Sequence, residues 1–362
     1  MKTNTVHGNS RILHILARAL RGGVEKNCYH IVKATPQFQH TIAILDGEGP
    51  MVTELQTAGA TIHVLNLLRK GRVTFQRQLR GRFPDGPFSC IIVWTNLRMP
   101  IVVHSLNRFS ADIFVHVGNP VRVSWTELLQ SLFFRPKNPV NLRPVSAYVE
   151  KSLSSSPYYR KFPRKVSLKP IVAPSVMVKE PVPLARDSCI SLGMVARLDT
   201  IKDHRTVIDA FNIIHREYPN AILNLVGAGP LLESLKHTAA NKGLSSNVIF
   251  HGDVADVYGA MKDWDLFLYG TTVSEGLGGT VAEALSMGLP TVATDLPMVR
   301  EWDPKGQYIT FCKASDPPDM AMKALTLLSD VARRTKINRA APAYIRENFS
   351  PEKFAYNYIS KP

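Results

Sequence analysis

SEGLGGTVAEALSMGLPTVATD, residues 274–295, reads as a glycine-rich turn, a helix and a strand in immediate succession. Gly276, Gly278 and Gly279 form the turn, a helix opens at Thr280 and runs to Met287, Gly288 caps it, and Pro290 begins the run PTVATD. The apolar run DLFLYG (265–270) precedes the turn and has strand length. Strand, turn, helix and strand make a βαβ unit, the repeating piece of a parallel sheet covered on both faces. The turn also carries chemistry. A glycine-rich loop feeding a helix N-terminus presents unpaired backbone N–H groups and the positive end of the helix dipole, which suits a phosphate. Glu275 lies on the loop and Glu283 about one turn into the helix, so both carboxylates are expected to face one cleft and accept hydrogen bonds from paired sugar or ribose hydroxyls.

Working outward, the same rhythm fills the second half. Strand-length runs occur at CISLGMV (189–195), AILNLVG (221–227), NVIFHG (247–252), DLFLYG and PTVATD, with helices expected over 204–217, 231–241, 254–262 and 280–287. Arg197 and Lys202 fall in the loop after the first of these strands, on the sheet edge that carries the glycine turn, where two cations can meet one diphosphate. The first half repeats the pattern with RILHIL (11–16), HTIAIL (40–45), TIHVLNL (61–67), CIIVW (90–94) and DIFVHV (112–117), and with helix-like stretches at 24–33 and 51–58. It fades between about 120 and 180, and nine prolines from Pro136 to Pro183 punctuate a basic stretch, so the domain boundary is set near 180. The fold class is therefore α/β, with two doubly wound, Rossmann-like domains (1–180 and 181–348) facing each other across a cleft.

A chain of 362 residues, 45% of them hydrophobic, is too long for one small module and has the composition of an ordinary globular protein. Its net charge of +15 is unevenly placed: residues 1–180 hold 25 Lys and Arg against 9 Asp and Glu, whereas residues 181–362 hold 19 against 20. Such asymmetry points the first half at something anionic. Two runs concentrate it: Arg69, Lys70, Arg72, Arg77, Arg80 and Arg82, and then nine cations from Arg135 to Lys169 against Glu150 alone. Phe133, Phe134, Leu128, Leu129 and Leu132 lie beside the second run and can form an apolar wedge at a membrane interface. No nucleic-acid reader motif appears. The four cysteines show no CxxC spacing, and no stretch is long and apolar enough to span a bilayer. Asp263-Trp264-Asp265 spells an acidic triplet, but its place just before a strand favours a structural cap over a metal site.

These residues resemble the retaining glycosyltransferases of family 4, which have the two-domain GT-B fold. Glu275-Gly276-Leu277-Gly278…Glu283-Ala284 is similar to the family's Glu-Gly-Phe-Gly…Glu-Ala frame, with Leu for the aromatic. Ala196-Arg197-Leu198…Lys202, Val226-Gly227-Ala228-Gly229-Pro230 and Phe250-His251-Gly252 match three further motifs in order and spacing, so the resemblance covers residues 189–295. In the first half, Gly22-Gly23-Val24-Glu25-Lys26 resembles an acceptor-side loop, and IFVHVGN (113–119) resembles the strand whose histidine faces the sugar, making His116 the matching position over His104. Two departures touch the acceptor side: Ala173-Pro174-Ser175 replaces an Asn-Gly-Val turn, and Trp94-Thr95-Asn96 stands where a histidine often occurs.

The resemblance implies a cytoplasmic enzyme that moves a sugar from a nucleotide diphosphate sugar to a hydroxyl of a glycan or lipid-diphosphate-linked acceptor in cell-surface polysaccharide synthesis, and the basic first half adds the expectation that it is peripheral on the inner face of the membrane. It implies catalytic roles for Glu275, His116, Arg197 and Lys202, donor binding by Glu283, Gly278, Gly279, Thr280, Gly227 and Val254, and an acceptor-side loop at Gly22 and Gly23. No metal or other cofactor is expected, because the cations and the helix N-terminus can neutralise the leaving diphosphate. Residues 349–362 resemble the family's last helix, which crosses back to the first domain; removing it is expected to reduce activity more than it unfolds either core. A non-hydrolysing nucleotide-sugar epimerase and a non-catalytic nucleotide-binding assembly subunit are the competing readings.

Overall fold

The computed structural model describes residues 10–20, 22–67, 72–83, 87–95, 99–121, 125, 129, 136–172, 174 and 176–359. Among the described residues, twelve strands form two six-stranded sheets. The first contains β1 (Arg11–Leu16), β2 (Gln39–Ile44), β3 (Thr61–Val64), β4 (Cys90–Val93), β5 (Asp112–Val117) and β6 (Val140–Pro144), in the order β3-β2-β1-β4-β5-β6. The second contains β7 (Ser191–Val195), β8 (Ile222–Val226), β9 (Val248–Gly252), β10 (Leu266–Tyr269), β11 (Thr291–Thr294) and β12 (Ile309–Cys312), in the order β12-β11-β10-β7-β8-β9. All neighbours in both sheets pair in parallel. In each sheet the first strand lies centrally, between the second and the fourth. The loops leaving those central strands therefore part at a switch point, and such a point opens a crevice at the carboxyl ends.

The two edge strands β6 and β12 escape the sequence pattern. Pro139 precedes β6 and Pro144 ends it; on the strand's outer side the Leu142 amide donates to Pro163 O, and Pro144, which has no amide to give, accepts from the Ser167 amide through its carbonyl. The stretch expected to be irregular thus supplies a strand and the helix Ala147–Ser154, capped by the Ser146 hydroxyl, which accepts from the Val149 amide. The helix expected over 254–262 is shorter, Val257–Met261, because the Asp256 carboxylate accepts from the Gly259 amide and starts it there.

The chain divides into two compact units, Met1–Pro170 with Pro351–Pro362, and Ile171–Ser350. The division falls before the expected 180 because the intervening residues bond to the second unit: the Tyr258 hydroxyl donates to Val172 O, the Val178 amide donates to Met287 O, and Lys179 pairs with Asp265.

The last helix, Pro351–Ile359, is an integral part of the first unit's core. Phe354, Ala355 and Tyr358 are buried among Ile12, Cys28, Trp94 and Phe114. The Tyr358 ring stacks on Trp94 at 5.1 Å, and its carbonyl accepts from Nε of the wholly buried Arg143 at 2.8 Å. Removing this helix would uncover the core it closes, so the structure adds a stability cost to the truncation that the sequence expectation did not weigh. Arg143 likewise leaves the set of surface cations.

Beneath Trp94 runs a buried chain of hydrogen bonds. Trp94 Nε1 donates to His14 Nδ1 at 3.1 Å, His14 Nε2 lies 3.0 Å from His40 Nδ1, and His40 Nε2 lies 3.0 Å from Thr35 O. The indole can only donate, so each imidazole accepts at Nδ1 and donates at Nε2, which requires both to be neutral. Burial holds both below the ordinary histidine value.

Candidate active site

The second unit gathers its chemistry at the carboxyl ends of β7, β8 and β10. After β10 the chain passes Gly270 and Thr271 and reaches Glu275, the residue that organises the loop. Glu275 Oε1 accepts from the amides of Gly276, Leu277 and Gly278 at 3.0, 3.3 and 3.2 Å. Oε2 pairs with the Lys202 ammonium, accepts from the Tyr269 hydroxyl at 3.0 Å, and lies 3.3 Å from Thr271 Oγ1. Lys202 Nζ also donates to the Tyr269 hydroxyl at 2.7 Å. Burial pushes the Glu275 carboxyl up, but the Lys202 charge, with hydrogen bonds from Lys202, Leu277 N and Tyr269, outweighs it and holds the group at about 2. Glu275 is therefore a fixed carboxylate with no proton to give.

The loops are laced by backbone as well. The Thr272 amide donates to Ile201 O and the Asp203 amide to Gly270 O, which sets Lys202 beside the glycine turn. Trp302, wholly buried, donates its indole N–H to Leu277 O at 2.9 Å and anchors the far side of the turn. Gly278 then adopts φ +71° and caps the helix Gly279–Ser286. A Cβ there would sit 2.9 Å from the Tyr269 hydroxyl oxygen in a left-handed backbone, so both sterics and conformation call for glycine. Gly227 is bound more tightly still: at φ +136° its Cβ would fall 2.0 Å from Ala196 O, while its amide donates to Gly252 O at 2.7 Å.

Of the residues expected to act together, the structure unites Lys202, Glu275 and Gly278. The Gly278 amide is already engaged by Glu275; the next two amides, Gly279 and Thr280, in the first turn of the helix, donate to no acceptor among the described residues. Glu283 is buried on that helix near Tyr258, whose hydroxyl is raised by burial and by the Glu283 charge. Val254 is half-buried in the loop after β9. Arg197 is exposed and paired with Asp199 at 2.7 Å. In the acidic triplet, Asp265 is committed to structure: it accepts from the Ser191 amide at 2.9 Å and pairs with Lys179.

In the first unit, Gly22 caps the helix Gly23–Ala34 at the carboxyl end of β1. The Glu25 carboxyl turns back onto the amides of Glu25, Leu20 and Gly22, while burial, the larger effect, raises it. His116 is buried beneath Trp94 (5.3 Å between rings) and Tyr358 (6.3 Å), and its Nδ1 has no hydrogen-bond partner among the described residues. Burial lowers it to about 4, so it is neutral. His104 lies on the helix Met99–Ser105. Asn96, Ala173, Ser175, Arg69, Lys70, Arg135, Leu128, Leu132, Phe133 and Phe134 lie outside the described residues, as do the side chains of Arg72 and Arg80. Leu129 and Trp125, in the same stretch, are exposed.

Sequence reasoning missed Tyr269 and Trp302. The first had a signal, since it is the last residue of its strand on the edge that carries the site. Trp302 had none, because 25 residues separate it from the carbonyl it holds.

Residues 190–330 match the model of the family described as glycosyl transferases group 1. EpsF of Bacillus subtilis (strain 168), which carries a glycosyltransferase designation, is 25% identical over 305 residues, 79% of each chain. N-acetyl-alpha-D-glucosaminyl L-malate synthase of Bacillus anthracis is 28% identical over 45% of this chain and 42% of its own. Among solved structures, HepE of Anabaena in complex with UDP-glucose superposes with a TM-score of 0.81 at 17% identity, covering 96% of this chain and 98% of its own. WaaG, a glycosyltransferase involved in lipopolysaccharide biosynthesis, gives a TM-score of 0.70 at 14% identity, covering 97% and 100%.

Proposed function

We propose, for a chain whose residues 190–330 form a glycosyl transferases group 1 domain and which is a glycosyltransferase on that ground, that it transfers a hexose from a nucleotide diphosphate sugar, with retention at the anomeric carbon. The acceptor is a hydroxyl of a glycan or a lipid-diphosphate-linked sugar, in cell-surface polysaccharide synthesis. The observation that carries the reading is the junction of Lys202, Glu275 and the unpaired Gly279 and Thr280 amides at the sheet's switch point. The relatives' designations as transferases do not favour the epimerase or assembly-subunit alternatives.

In this reading the Gly279 and Thr280 amides hold the diphosphate, and Lys202 and Arg197 balance the charge that grows on it as the glycosidic C–O bond breaks. Glu283 accepts hydrogen bonds from the ribose hydroxyls, and the loops at Gly227 and Val254 flank the base. Because Glu275 stays ionised, it neither donates a proton nor acts as general acid; it orders the loop and offers negative charge to the sugar. The acceptor oxygen bonds to the anomeric carbon on the face the phosphate leaves, and the departing phosphate oxygen takes the acceptor proton. His116 and the Gly22–Gly23 loop belong to the acceptor side, and the chemistry runs without a metal. The protein works on the cytoplasmic side of a membrane, a reading supported by the basic excess of the first unit and compatible with the absence, among the described residues, of any helix long and apolar enough to cross one.

Thermal unfolding with a panel of nucleotide diphosphate sugars tests the donor site. One nucleotide should raise the wild-type midpoint by a few degrees and that of Glu283→Ala much less. Equal shifts, or none, would remove the assignment.

A further inference from the structure

Tyr269 contacts both Lys202 and Glu275 and lies against Gly278. It is wholly buried at the end of β10, its ring stacked on Phe267 at 6.3 Å. Its hydroxyl accepts from Lys202 Nζ at 2.7 Å and donates to Glu275 Oε2 at 3.0 Å. The Lys202 ammonium also lies 5.1 Å from the centre of the ring, and the same hydroxyl closes the space where a Cβ on Gly278 would stand. Lysine has three donors on a flexible stem and no preferred geometry of its own, so an acceptor fixed in the core is what turns a mobile charge into a placed one. The hydroxyl is suited to this because burial, then the Glu275 charge and hydrogen bond, keep it protonated, which fixes its donor toward the carboxylate and leaves its lone pairs to the ammonium.

We propose that Tyr269 is a positioning residue for donor binding: its hydroxyl sets the Lys202 ammonium between Glu275 and the open end of the helix Gly279–Ser286, where the diphosphate of the donor lies. This rests on the donor-site reading above and adds a residue to it. In this reading Tyr269 touches no substrate; it acts through Lys202, which it holds beside the Glu275 carboxylate whose three amide contacts shape the turn.

The test is a double-mutant cycle read by donor affinity, using the nucleotide diphosphate sugar that binds wild type best. Tyr269→Phe keeps the ring and removes the hydroxyl, so the thermal midpoint should stay within a few degrees of wild type while affinity falls roughly tenfold, the scale of one hydrogen bond to a charged group. In a Lys202→Met background the same change should alter affinity by less than about twofold, because the group Tyr269 places is gone. A purely structural tyrosine would cost the same factor in both backgrounds, and that result overturns the proposal. Wild type and Tyr269→Phe binding equally well overturns it too and leaves the donor site standing. If wild type binds no nucleotide diphosphate sugar, the donor-site reading itself has failed.

Discussion

Two carboxylates, one in each unit, do the same work at the ends of different strands. Glu275 collects the amides of Gly276, Leu277 and Gly278, and Glu25 those of Leu20, Gly22 and Glu25. In both, a glycine-containing loop is partly satisfied by its own acid, and in the second unit the amides of Gly279 and Thr280 are the next along that donate to no acceptor among the described residues. Neutral histidines are a second residue-scale theme. His116 titrates at about 4 against an ordinary 6.5, because burial disfavours its charged form. Between those values the unfolded chain takes up a proton that the folded chain refuses. Stability present above about pH 6.5 is thus lost as pH falls towards 4 and levels off below. The histidine's share is about 3 kcal/mol, and His116→Phe should remove most of it, seen as a smaller difference between denaturant midpoints at pH 7 and pH 4.5. An unchanged difference would contradict the placement of His116 in the core.

At the scale of elements, the helix Pro351–Ile359 returns to complete the first unit. It supplies Tyr358 to the stack with Trp94 and His116, and a carbonyl to the buried Arg143. Ending the chain at Ser350 should lower the first unit's stability by several kcal/mol, since buried Phe354 and Tyr358 each contribute ~2 kcal/mol or more. Limited proteolysis should then cut residues 10–170 well before 171–350; equal resistance would count against the helix as a core element. The sequence made most elements legible where apolar runs were long and central: β1, β5 and the helix His204–Glu217 have the bounds read from it. It failed at β6, whose run is bounded by Pro139 and Pro144, and at β12, whose two middle residues are half-buried.

For the whole molecule, charge and architecture divide together. The first unit holds 26 Lys and Arg against 9 Asp and Glu, the second 18 against 20. Lys137, Lys151, Arg160 and Lys161 are exposed, as are Trp125 and Leu129. If this basic surface meets an anionic membrane, each cation contributes ~1 kcal/mol and salt screens it. The protein should sediment with anionic vesicles at low ionic strength, less at high ionic strength, and not with neutral ones. Sedimentation indifferent to lipid charge and salt would exclude an electrostatic contact.

The sequence by itself determined two parallel α/β halves, the uneven charge, and a glycine turn flanked by Glu275, Glu283 and Lys202, because periodicity and spacing are local properties of a chain. Tertiary structure decided how those residues are used. Only folding brings Lys202 onto Glu275, Tyr269 between them and Trp302 onto Leu277, across 73 and 25 residues of chain in the first and last cases. It also buries His116 and Arg143. Burial and long-range pairing set ionisation, and spacing along a sequence carries neither.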